Sequence, residues 1–92
     1  MSFATKLANN DIQEEAIKKI ETWLKKLNKK VVGGTKIGKY YGTVILDLTY
    51  QGGEIYIHED GFNETEYGNP GVTVNDIPVN SFCDLKLALE NN

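Results

Sequence analysis

The chain contains no arginine; all ten of its basic residues are lysine. That removes the flat guanidinium fork, and with it bidentate recognition of phosphate, carboxylate or guanine. Cysteine occurs once, as Cys83, which excludes an intramolecular disulfide and a thiolate-rich structural zinc site. With one histidine, His58, a transition-metal site would depend on carboxylates. No stretch approaches the ~18 apolar residues of a membrane helix, and residues 1–10 lack the apolar run of a secretion leader. These deficits predict a cytoplasmic, reducing setting with no membrane segment, no cofactor and no metal. Asn63-Glu64-Thr65 matches a glycosylation sequon, which has no use without secretion.

What is present fits one globular domain. Ninety-two residues are too few for two separate cores. Hydrophobic residues at 40% and charged residues at 25% match an ordinary folded protein rather than a disordered one. Charge is unevenly divided. Residues 1–46 hold nine lysines against four acids, and residues 47–92 hold one lysine against nine acids. A bipolar surface of this kind steers association. The net charge of −3 argues against duplex DNA, where affinity rests on neutralising many phosphates. Lysine, asparagine and isoleucine in abundance without arginine is the composition of AT-rich genomes, those of small bacteria and many phages among them.

The first element is a helix over 11–28. Ile12, Ala16, Ile17, Ile20, Trp23, Leu24 and Leu27 recur at gaps of three and four, Asn10 is a good N-cap, and Gln13 completes a capping-box pattern. Residues 2–8 add a short turn, with Phe3 and Leu7 reaching the core. Val31-Val32 enters an extended segment that Gly33-Gly34 breaks, and 36–41 forms a second extended stretch. Residues 43–50 make the best strand, because apolar and polar residues alternate and β-branched residues are plentiful. Gly52-Gly53 reads as the centre of a two-residue hairpin turn returning through 54–58. That turn sets Tyr50 against Ile55, Leu48 against Ile57 and Asp47 against His58, with Asp47 and His58 on the solvent side. Residues 59–71 read as a long acidic loop. Short strands follow at 72–74 and 77–79, the latter an edge because of Pro78. Ser81 caps a final helix carrying Phe82, Leu85, Ala88 and Leu89. The expected fold is α+β, with an N-terminal amphipathic helix and a short C-terminal helix on one face of a mainly antiparallel sheet of three to five strands.

Catalytic chemistry finds little support, and no catalytic residue is assigned. Cys83 near a helix N-terminus could form a set with His58 and Asp47, but nothing in the sequence brings them together; a small residue packing the last helix on the sheet is the simpler reading. Gly33-Gly34-Thr35-Lys36 lacks the spacing of a phosphate loop and precedes a strand, not a helix. The acids near His58 lack calcium-loop spacing. Glu14–Lys18, Glu15–Lys19 and Glu21–Lys25 read as helix-supporting pairs.

Two surfaces remain. The acidic loop offers Glu59, Asp60, Phe62, Glu64, Glu66 and Tyr67 to a partner protein with a basic surface. Lys29, Lys30, Lys36 and Lys39 beside Tyr40 and Tyr41 could instead hold a nucleotide or short single-stranded RNA through charge and stacking. The sequence therefore predicts a small non-enzymatic protein-binding module, an accessory protein of phage or mobile-element type that inhibits or adapts a host protein. The ligand-binding reading is the alternative. A homodimer through an exposed sheet edge is compatible with either.

Overall fold

The computed structural model describes residues 3–38, 44–64 and 68–91. A single turn, α1 (Phe3–Lys6), precedes the long α2 (Asp11–Lys26). Asn10 is extended, and its side-chain oxygen accepts the Gln13 N–H at 2.9 Å, which caps α2. The other arm of the expected capping box is redirected. The Gln13 carboxamide turns inward and accepts the N–H of Asn9 at 2.8 Å. At the far end α2 stops two residues short of the expected limit. Asn28 takes a left-handed φ of 57°, its N–H reaches Lys25 O, and the N–H of Lys29 returns to Leu24 O at 2.9 Å. That pair of bonds is a Schellman closure, with asparagine tolerating the left-handed position.

Five strands follow in chain order, and their order in the sheet is the same: β1 (Val31–Gly38), β2 (Val44–Tyr50), β3 (Gly53–His58), β4 (Val72–Val74) and β5 (Ile77–Pro78), every neighbouring pair antiparallel. The chain closes with α3 (Phe82–Glu90), where Ser81 Oγ accepts the Asp84 N–H at 3.1 Å. The fold is α+β, with helices packed against a five-stranded antiparallel sheet.

The core lies between sheet and helices. Leu46, Leu48, Tyr50, Ile55, Ile57, Val72 and Val74 from the strands meet Ala16, Ile17, Ile20 and Leu24 of α2 and Leu85 and Leu89 of α3, all buried. Each fully buried Leu or Ile here contributes about 2 kcal/mol of transfer free energy. Leu7 and Trp23 pack on the rim. The side chain of Phe3 lies outside the described set. Ile12, expected on the buried stripe, is 46% exposed.

Two expectations are corrected. Gly33-Gly34 does not break the chain; residues 31–38 form one strand with a register shift between Val31 and Gly33. Such a bulge absorbs an extra residue without ending the ladder. The β2–β3 hairpin is also displaced. Its turn centres on Gln51-Gly52, so Tyr50 pairs with Gly53, Leu48 with Ile55 and Leu46 with Ile57. A two-residue change of register preserves which face each side chain occupies, so the core set is unaffected. Cross-strand neighbours do change: Asp47 faces Tyr56, and His58 faces Ile45. His58, expected on the solvent side, is 7% exposed.

Candidate functional site

The loop after β3 is tied down from its first residue. The N–H of His58 donates to Gly71 O at 2.8 Å, and Gly61 N–H donates back to His58 O at 2.9 Å. The N–H of Asp60 donates to His58 Nδ1 at 3.1 Å. An Nδ1 that accepts from this N–H cannot donate to the Asp60 carboxylate 3.6 Å away, so a neutral His58 in this geometry carries its proton on Nε2. Asn63 closes the turn by donating from Nδ2 to Asp60 O at 3.0 Å. Gly61 holds φ at 68°, and a β-carbon there would press on Ile12 Cγ2. This glycine lets the loop lie directly against the start of α2.

The close approach leaves a groove of about 250 Å³ between α2, the loop, β4 and α3. Ile12, Ala16, Phe62, Val72 and Phe82 form its apolar lining, and the acidic residues Glu15 and Asp60 also line it. Phe62 and Phe82 meet edge to face with centroids 4.9 Å apart, and Phe82 meets Trp23 at 6.4 Å. Phe62 and Phe82 thus stand in the wall with Trp23 in contact behind Phe82, and the mutual geometry of the rings adds stability beyond area burial. Lys19 lies over the outer side of these rings, its Nζ 5.1 Å from the Phe82 centroid.

The residues expected to contact a partner separate into three groups. Asp60 and Phe62 sit in the groove, and Glu64 is exposed beyond Asn63. Glu59 is occupied internally: Oε2 accepts from Asn9 Nδ2 at 3.0 Å, Oε1 accepts the Val44 N–H at 3.4 Å, and its carbonyl accepts from Asn10 Nδ2 at 2.8 Å. Glu59 thus ties the start of α2 to the sheet. Glu66 and Tyr67 lie outside the described residues. The groove residues Ile12, Glu15, Val72 and Phe82 were missed by sequence reasoning. Their signal was available only in part, because Ile12 is the first apolar position of a helix and such positions often overhang the core.

The lysine surface is spread out. Lys30 precedes β1, while Lys36 lies six residues further along and is opposite Leu46. Six extended residues span roughly 20 Å. Lys29 is half-buried, and Lys39, Tyr40 and Tyr41 lie outside the described residues. Of the three local helix pairs, Glu14–Lys18 closes at 3.1 Å, whereas Glu21 accepts from Thr5 Oγ1 at 3.1 Å.

The corrected register creates a grouping that the sequence did not indicate. Asp47 and Glu54 lie diagonally on the sheet face away from the helices, beside Tyr56. Asp47 Oδ1 is buried with no hydrogen-bond partner among the described residues. The Glu54 carboxyl is held above its ordinary value, first by a hydrogen bond to Asp47, then by the Asp47 charge, with partial burial and Asp76 adding less. The Tyr56 phenol is raised too, chiefly by the Asp47 charge.

Cys83 is exposed, so it does not pack α3 on the sheet as expected. Asp47 and His58 are diagonal neighbours rather than a direct cross-strand pair, and His58 Nδ1 is engaged by Asp60 instead. Among the described residues no group of three or more His, Cys, Asp or Glu side chains could hold a metal ion, and no helix is long and apolar enough to cross a membrane. Comparisons with protein-family models, curated proteins and solved structures found no match.

Proposed function

We propose that this chain is a non-enzymatic protein-binding module whose groove receives a basic segment of another protein, an apolar side chain entering between Phe62, Phe82 and Ile12 while flanking cations meet Glu15, Asp60 and Glu64. The observation carrying this reading is the combination of an apolar lining with acids in and beside it. Apolar contact supplies affinity, and the carboxylates select against neutral or acidic segments and raise the rate of encounter. A preformed aromatic wall also limits the ordering cost on binding. The lysine-rich, arginine-free composition fits a phage or mobile-element accessory protein that occupies a basic site on a host protein.

Affinity capture from nuclease-treated lysate of the source cells tests the proposal, with the Glu15→Lys/Asp60→Lys chain as matched bait. Both positions are exposed, so the reversal leaves packing intact. A protein retained by the native chain and lost by the reversed one is the expected result. Equal retention by both would place the binding surface elsewhere.

A further inference from the structure

The sheet ends on β1, which pairs with β2 along one side; among the described residues no strand lies along the other. The opposite edge is β5, two residues long and containing Pro78. Proline lacks an N–H, so that edge offers little to an incoming strand. By contrast β1 runs eight residues and keeps a regular register from Gly33 to Gly38. Along this run alternate residues direct an N–H and a C=O away from β2. One face of β1 is covered at Gly34, where a β-carbon would meet Leu7 and Leu48, but the space is open on either side of it. A β-carbon on Gly33 or Gly38 would meet nothing within 4 Å, and Val32 is 61% exposed.

Charge specifies the occupant. From residue 29 to 38 the chain carries Lys29, Lys30 and Lys36 and no acid, and Lys30 and Lys36 are exposed near the two ends of the strand. Antiparallel pairing of two copies about the middle of β1 would set the Lys30 end of one against the Lys36 end of the other, so like charges oppose a second copy. The same lysines attract a strand bearing carboxylates. We propose that the free edge of β1 accepts an acidic, extended segment of a partner protein as a sixth strand, its main chain completing the ladder and its acids meeting Lys30 and Lys36. This surface is distinct from the groove, and its fate is independent of the basic-segment reading.

The test is amide hydrogen exchange of the full chain with a short peptide that alternates glutamate and valine. Expected are saturable protection of amides within 33–38, loss of that protection when the peptide's inward-facing amides are N-methylated, and binding weakened by salt. Lys30→Glu/Lys36→Glu should bind the peptide about tenfold more weakly at low ionic strength. Unchanged circular dichroism of that variant would establish that it still folds. Absence of protection on β1, or equal affinity of the reversed variant, would overturn the proposal. So would displacement of the peptide by oligothymidylate, which would make the edge a nucleic-acid surface, or β1 protection that appears with protein concentration alone, which would make it a self-association edge.

Discussion

The carboxamide of Asn75 fills the space in which a β-carbon on Gly53 would stand. From there Asn75 Oδ1 accepts the Glu54 N–H at 2.9 Å and Nδ2 donates to Gly52 O at 3.1 Å, while the Asn75 backbone N–H donates to Glu54 O at 2.8 Å. The β4–β5 turn thus clasps the end of the β2–β3 hairpin, and Gly53, at φ 143°, makes room for the clasp.

Substituting Gly53→Ala should cost at least about 2 kcal/mol, since strained backbone and steric displacement of Asn75 add. Asn75→Ala should cost about 1–3 kcal/mol through lost bonds to Glu54 and Gly52. Because the residues share one space, the double variant should be less unstable than the two single effects combined. Urea denaturation of the four chains measures this coupling, and strict additivity would refute the clasp.

Gln13 is fully buried. Its Nε2 donates to Val44 O at 3.2 Å and Ile57 O at 3.1 Å, and its Oε1 accepts from Asn9. Gln13→Met keeps the volume and strands those backbone groups, at about 2–4 kcal/mol. Gln13→Glu should be worse at neutral pH, because a carboxylate would face two carbonyl oxygens, and should recover in part as acid protonates it. A Gln13→Glu chain as stable as wild type at neutral pH would contradict the bonding described.

The Asp47–Glu54 pair gives a pH dependence with a defined sign. Glu54 titrates higher in the folded chain than its ordinary 4.5, so folding takes up protons in that window. Its contribution to stability is complete below pH 4.5 and is lost as pH rises through the higher folded value. Asp47→Asn removes the main cause and supplies a donor. That variant should have a higher urea midpoint than wild type at neutral pH, the difference shrinking toward pH 4.5. A constant difference, or the opposite sign, would dissociate the pair from the effect.

Phe82 joins Trp23 and Phe62 at their edges. Truncation to alanine should cost about 2 kcal/mol, less than for a fully buried ring because Phe82 is half-buried. It should also shift Trp23 fluorescence in the native state. Unaltered native fluorescence would mean that the aromatic chain does not persist in solution.

Local pattern was sufficient for the helices, their N-caps, the best strand and most of the core, Ile12 being an exception. Periodicity reports which side of an element is apolar, and Asn10 and Ser81 act on bonds within their own first turns. Face assignment in the hairpin survived an incorrect register because a two-residue displacement conserves parity. Neighbours across strands were not available in the same way. Gln51-Gly52 and Gly52-Gly53 both supply a turn, and the register observed is the one in which Asn75, more than twenty residues away, bonds Glu54 and Gly52. That register sets Asp47 opposite Tyr56 instead of His58 and brings Glu54 to its diagonal.

The sequence by itself determined an α+β chain with a lysine-rich first half and an acidic second half, because composition and periodicity are properties of the string. Only the tertiary structure decided how those charges act. Folding drew Glu59 inward, placed Asp60 and Phe62 beside Glu15 and Ile12 of a distant helix, and left β1 at the sheet edge. Each outcome rests on long-range packing and backbone hydrogen bonding, whose partners are chosen by three-dimensional fit rather than by position along the chain.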